Sequence, residues 1–186
     1  MPQPPAPQRP RSLDPFAALL SYLIPGLGQI YQGRVAKGIL FMVCLLGLFF
    51  YGMKLGSCEN VYLPKTDIKQ NVLFNNWQYL GDIENRPHFA GQFFIGIAAW
   101  PAVIQRVQFD PAQPKDKWLL KGWQRQPSEE RLNELQRDGD KRWDLGWVYT
   151  VVAGVLNLLV IYDALAGPAH KESTPAAAAT KEKVAS

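Results

Sequence analysis

Four stretches of this chain contain no Asp, Glu, Lys or Arg: residues 15–33, 38–53, 87–105 and 145–162, which are 19, 16, 19 and 18 residues long. A helix that crosses the hydrocarbon core of a bilayer needs about 20 mostly apolar residues, so these gaps constrain the fold class before any motif does. Averaged, the chain reads as an ordinary soluble domain of 186 residues, 47% hydrophobic, with mean hydropathy −0.13. The average hides a segregation, because all 20 Lys+Arg and all 16 Asp+Glu lie between or beyond the gaps. The expectation is an all-α membrane protein with about four transmembrane helices, over roughly 15–33, 38–54, 87–105 and 145–163, in a single helical domain spanning 15–166. With only two cysteines, Cys44 and Cys58, a secreted disulfide scaffold is excluded, and the gaps argue against a soluble enzyme.

The net charge of +4 and pI of about 9.1 do not indicate a nucleic-acid partner, because the basic residues are interleaved with acids and form no run or stripe. The first 14 residues are proline-rich, with Arg9 and Arg11. Each proline removes a backbone donor and restricts its predecessor, so this lead is expected to be disordered. The low-complexity tail over 167–186 is expected to be disordered too. No small-residue cleavage site follows the first apolar stretch, which is expected to be retained and not removed as a signal peptide.

The second window is the most hydrophobic and is bracketed by Lys37 and Lys54, whose side chains can snorkel and extend the span. The third contains Gly91, Gly96, Ala98 and Ala99, small residues of the kind that let helix backbones approach in lipid. The fourth begins near Trp143 and Trp147 and closes on Tyr162, an aromatic belt at both interfaces. The first differs from these. Pro25, Gly26 and Gly28 interrupt it, so a helix from about Phe16 to Ile24 is followed by a kink or a re-entrant turn, and the freed backbone groups need partners within the protein.

Two polar segments join the windows. The segment from Ser57 to Arg86 has the composition of one short hairpin. The segment 106–144 carries two helical patterns. In the first, Trp118, Leu119, Gly122 and Trp123 share one face and Lys117, Lys121 and Arg125 another, as in a helix lying in a membrane interface. The second starts at Ser128 as N-cap, with Glu129 and Glu130 in its first turn and Leu132 and Leu135 turned inward; it is either a solvated connector or a partner-binding face. With four spans, the turn after the first helix and the 106–144 segment share a face bearing Arg34, Lys37, Arg106, Lys115, Lys117, Arg131, Arg137, Lys141 and Arg142. The other face bears Arg9, Arg11, Lys54, Lys65, Arg86 and Lys171. The excess of basic residues puts the 106–144 segment in the cytoplasm and both termini outside.

The most specific string is PGLGQIYQGRVAKG, from Pro25 to Gly38. Gly26, Gly28, Gly33 and Gly38 permit a tight backbone path. Gln29 and Tyr31 bring hydrogen-bonding groups to the membrane boundary, and Arg34 and Lys37 sit at the level of phospholipid phosphates. This string resembles the helix-turn-helix signature of small bacterial membrane proteins related to the two-transmembrane-helix domain superfamily. The fourth window, ending in Tyr162, Asp163 and Ala164, is similar to the Asp-Ala ending of the last helix in such proteins. Over 13–169 the chain resembles an uncharacterised bacterial family of unknown function, which implies the fold and a membrane location but no reaction.

Asp163, one residue past its uncharged window, is a candidate functional acid. Asn157 lies inside the same window, where a hydrogen bond across helices or a substrate contact would explain it; Gln29 and Gln92 raise the same alternatives. His88 and His170 have no Cys or His at ligand spacing. Cys44 and Cys58 lie roughly a leaflet apart and have no neighbouring base. The pairs Glu129/Glu130 and Asp138/Asp140 are interleaved with basic residues and read as a solvated face. GLGQ lacks the Lys-Ser/Thr of a phosphate-binding loop. No catalytic residue, cofactor or metal site is therefore expected. The candidate motif is Pro25, Gly26, Gly28, Gln29, Tyr31, Gly33, Arg34, Lys37, Gly38, Asn157 and Asp163. The expected function is a non-enzymatic structural or assembly component of the cell envelope, in the bacterial cytoplasmic membrane, with lipids and a second copy or other membrane proteins as partners and no nucleic acid. A small channel or transporter using Asn157 and Asp163 is the alternative. A lipid-acting membrane enzyme, with Arg34 and Lys37 on phosphate, is the third possibility.

Overall fold

The computed structural model describes residues 13–64, 86–108, 119–137 and 141–167, and no strand occurs among them. The elements are α1 (Pro15–Leu23), α2 (Leu27–Tyr31), α3 (Val35–Leu55), α4 (Pro87–Phe93), a 3-10 turn (Ile97–Ala99), α5 (Trp100–Val107), a second 3-10 turn (Leu119–Gly122), α6 (Glu129–Arg137) and α7 (Lys141–Ala166). The hairpin expected in the 57–86 segment falls mainly on residues 65–85, outside the described residues. So do the chain ends 1–12 and 168–186, His170, Lys117, Trp118 and the Asp138/Asp140 pair.

Two helices, α3 with 21 residues and α7 with 26, are long and apolar enough to cross a membrane. At 1.5 Å rise per residue they measure ~32 and ~39 Å. They pack antiparallel, with Lys37 at the level of Asp163 and Gly52 against Gly146. A Cβ on Gly52 would lie 2.8 Å from the Gly146 carbonyl oxygen, so the absence of side chains allows the close crossing.

The other two uncharged windows are not single helices. The chain enters beside the C-terminal end of α7, where Asp14 N–H donates to Leu165 O at 2.9 Å. It runs antiparallel to α7 as far as Ile24, where the backbone is extended, then reverses through Gly26 at φ +86°. The short α2 returns to the entry end, with the Tyr31 ring 5.2 Å from that of Phe16. The expected span over 87–105 is a second hairpin entering from the opposite end. Its first arm α4 runs parallel to α7, from the His88–Trp147 ring contact to Phe94 at Asn157. It breaks at Gly96, also at φ +86°, and returns as α5, which brings Arg106 to Pro64 O at 3.2 Å. With nine residues, α1 rises only ~14 Å, little more than a third of the length of α7.

This path corrects the four-span expectation in a second respect. Both long polar connections emerge at the same end of the bundle: Glu59 from the first is paired with Arg131 from the second at 3.1 Å. Arg34 and Lys37 lie at the other end, with Asp14 and Gly167, and not beside the 106–144 segment. The interface helix expected around Trp118–Arg125 is also replaced. From Leu119 the chain forms a 3-10 turn, with Leu120 and Lys121 in left-handed conformation. It buries Gln124, whose amide accepts from Ala102 N–H at 3.0 Å and donates to Ala98 O at 2.7 Å. The groups freed by the second break thus find a side-chain partner. The expected N-cap is present, with Ser128 Oγ accepting from Arg131 N–H at 3.3 Å.

Large apolar side chains are exposed on the two long helices, and several polar side chains are buried. Val43, Leu159 and Tyr162 are 65%, 65% and 68% exposed, whereas Ser21, Gln29, Asn60, Gln92, Thr150 and Asn157 are fully buried. An apolar core remains around Phe49, Met53, Phe89, Ile95 and Ala153, at the end where the loops gather.

Candidate functional site

The Pro25–Gly38 string wraps around the C-terminal end of α7, and the reason is local. Pro25 and Gly26 stop α1 and turn the chain; a Cβ on Gly26 would lie 2.0 Å from Gly38 O, so the turn rests directly on the first turns of α3. Gly28 lies against α1, where a Cβ would lie 2.0 Å from Ala17 O. The two close approaches hold α2 between α1 and α3 and direct Gln29 inward.

Gln29 organises the buried side of the site. Its Oε1 accepts from Ser21 Oγ at 3.0 Å, and its Nε2 donates to Val160 O at 2.8 Å and to Asp163 Oδ2 at 3.2 Å. Gln32 Nε2 donates to Ala164 O at 2.7 Å and reaches Asp14 Oδ2 at 3.4 Å. Carbonyls in the last turn of α7 thus accept from Gln32 and from Asp14 N–H. Two cations complete the clamp: Arg34 Nη2 is 2.8 Å from Asp163 Oδ2, and Lys37 Nζ is 2.7 Å from Asp163 Oδ1. Both lie at the negative end of the α7 dipole, which adds to their attraction. The Asp163 side chain is 30% exposed, so the pairs form at a boundary and not in a sealed core.

Further along α7, fully buried, Asn157 joins the two hairpins. Its Nδ2 donates to Ser21 O at 3.1 Å and to Phe94 O at 2.8 Å, one carbonyl from each broken segment. Gly96 packs on the tip of the first hairpin, where a Cβ would lie 1.8 Å from Tyr22 O. Toward the loop end a second polar cluster forms. Gln92 Nε2 donates to Thr150 Oγ1 at 2.7 Å and Asn60 O at 3.1 Å, while Arg86 donates to Asn60 O and Tyr62 O and to the His88 ring. The Arg86 guanidinium lies 3.4 Å over the Tyr62 ring. Burial pushes its pKa down to about 10, and the nearby Tyr62 opposes that shift.

The structure therefore brings together Gln29, Arg34, Lys37 and Asp163, with Pro25, Gly26, Gly28 and Gly38 shaping the turn that presents them. Tyr31 points outward, 59% exposed, onto Phe16. Gly33 ends α2 and meets nothing within 4 Å. Asn157 is apart from the clamp and connects to it through Ser21. Sequence reasoning missed Ser21, Gln32 and Asp14 in the clamp and Asn60, Thr150 and Gln124 elsewhere. The available signal was the presence of polar residues inside otherwise apolar windows, which need an internal partner in lipid. Among the described residues no group of three His, Cys, Asp or Glu is gathered for a metal. Cys44 and Cys58 are both free and exposed.

A family model described as a family of unknown function (DUF6677) matches residues 16–176, most of the chain. The uncharacterized protein MJ1516 of Methanocaldococcus jannaschii is 57% identical over 28 residues, which are 15% of this chain and 28% of that archaeal relative. No solved structure matches.

Proposed function

We propose that this chain, which belongs to the DUF6677 family of unknown function, is a multi-pass integral membrane protein with a non-enzymatic structural or assembly role in a cell envelope. The observation that carries the membrane assignment is the placing of side chains: large apolar ones are exposed along α3 and α7, and hydrogen-bonded amides are buried beside the apolar core. In lipid, broken helices survive only where protein satisfies their backbone, and Asn157 and Gln124 do so here. The protein on this reading has two spanning helices and two hairpins entering from opposite faces. The structural role rests on how the motif uses its polar groups. Gln29, Gln32, Arg34 and Lys37 all bind the end of α7, fastening the chain to itself.

Orientation follows from the described basic residues. The loop end carries Lys54, Arg86, Arg106, Lys121, Arg125, Arg131, Arg137, Lys141 and Arg142, against Arg34 and Lys37 at the clamp end, which assigns the loop end to the cytoplasm. Two measurements test this. The protein is expected to stay in the membrane pellet after alkaline carbonate washing; release into the supernatant overturns the membrane assignment. Cys58 is expected to react with an impermeant maleimide only after cells are permeabilised, and labelling of intact cells reverses the orientation.

A second reading, a small channel or transporter, is favoured by one observation. Asn157 Oδ1 and Gln92 Oε1 are buried acceptors without a partner among the described residues, and Asn157 lies where the two hairpins meet. Ion flux through proteoliposomes, abolished by Asn157→Leu, would favour transport over the structural role.

A further inference from the structure

We propose that the Arg34/Lys37 side of the clamp is a binding site for the phosphate of an anionic phospholipid, an inference that rests on the membrane reading above. The argument begins with a charge imbalance. Arg34 and Lys37 share one carboxylate, Asp163, whose two oxygens are both engaged. Asp14, the other acid described at this end, is turned to the start of α1, where Oδ1 accepts from Ala17 N–H at 3.0 Å, and Gln32 lies between it and Arg34. An ammonium carries three donors, and Lys37 gives one to Asp163 while its cation lies 5.4 Å from the Phe41 ring. Hydrogens therefore remain for an oxyanion approaching from outside, and the Lys37 side chain is 39% exposed to it.

The surroundings suit a lipid better than a dissolved anion. Directly beyond Lys37, α3 turns Ile39, Leu40 and Val43 outward, and Leu159 and Tyr162 of α7 are exposed on the neighbouring helix. A phosphate held by Arg34 and Lys37 would have acyl chains descending along this apolar surface. The exposed Tyr31 marks the same level, as expected for an aromatic ring at a headgroup boundary. Asp163 is the intramolecular competitor: its carboxylate occupies the donors that a phosphate would use.

The test measures lipid retention by the purified protein in neutral detergent by native mass spectrometry, using phosphatidylglycerol, phosphatidylcholine and inorganic phosphate as probes. Phosphatidylglycerol is expected to be retained in preference to phosphatidylcholine. Lys37→Gln is expected to weaken its binding about fivefold, the weight of one basic residue at an anionic surface. Asp163→Asn is expected to strengthen binding by freeing both cations, an effect that a purely structural clamp would not produce. Lys37→Gln keeps the Arg34–Asp163 pair and serves if Asp163→Asn does not fold. Equal retention of the two lipids, or an unchanged affinity in Lys37→Gln, overturns the site while leaving the membrane assignment intact. Displacement of phosphatidylglycerol by millimolar inorganic phosphate overturns the lipid as the ligand. A protein that remains soluble without detergent overturns the membrane reading itself.

Discussion

The two hairpins solve the same problem with different chemistry. Each breaks at a glycine with φ +86°, Gly26 and Gly96, and each leaves backbone groups that the interior must satisfy. The first is fastened by charge: Arg34 and Lys37 grip Asp163 at a boundary, and Gln29 carries the contact inward. The second is fastened by neutral amides, with Asn157, Gln92 and Gln124 each bridging segments far apart in the chain. The difference follows exposure: the ions of the first lie at a boundary, whereas a fully buried neutral amide satisfies carbonyls without the desolvation cost of a charge.

The strongest test of the shared part of this design is steric. Gly26→Ala and Gly96→Ala put a Cβ 2.0 Å from Gly38 O and 1.8 Å from Tyr22 O, at a φ that alanine disfavours. Each is expected to cost more than about 4 kcal/mol and abolish the folded protein in detergent, as read by thermal unfolding and by yield. If Gly26→Ala folds and Gly96→Ala does not, the two turns are not equivalent.

The next effect separates the fastenings. Asp163→Ala leaves two cations without their carboxylate and is expected to destabilise by about 3 kcal/mol, the low end for breaking a buried pair because this one is partly exposed. Asn157→Ala leaves Ser21 O and Phe94 O without their donor and is expected to cost about 2 kcal/mol. A larger loss for Asn157→Ala would make the buried amide contact, and not the clamp, the main fastening. The smallest expected effect is ionic. Raising salt from 0.1 to 1 M is expected to lower the unfolding temperature of the native protein by an amount worth less than about 1 kcal/mol. Asp163→Asn should reduce that dependence to what the Arg131–Glu59 pair supplies, and Gln92→Ala should keep it in full.

The first hairpin was much the more legible in the sequence. Pro25 and Gly26 announce a break through backbone geometry alone, and Gln29, Arg34 and Lys37 follow within one short string. The second hairpin carries no comparable signal. Gly96 sits among apolar residues, Pro101 begins α5 as a normal first-turn proline, and the uninterrupted lack of charge over 87–105 reads as one span. Gln124 was harder still. It lies in a basic, aromatic stretch whose helical periodicity suggested an interface helix, yet two free groups of the second hairpin draw it inward and the local backbone goes left-handed to reach them.

The sequence by itself determined the apolar segments, the two long helices, the break at Pro25–Gly26 and the presence of an acid at the end of the last helix. These depend on transfer free energy and backbone sterics, which act over a few residues and are written locally. Only the tertiary structure decided that two windows turn back on themselves as hairpins, that both polar connections share one end, and that Asp163 is the partner of Arg34 and Lys37. The reason is distance along the chain. Lys37 and Asp163 are 126 positions apart, and Asn157 and Ser21 136. Such pairs form only because glycine contacts at Gly26–Gly38, Gly52–Gly146 and Gly91–Gly154 set the spacing of the helices.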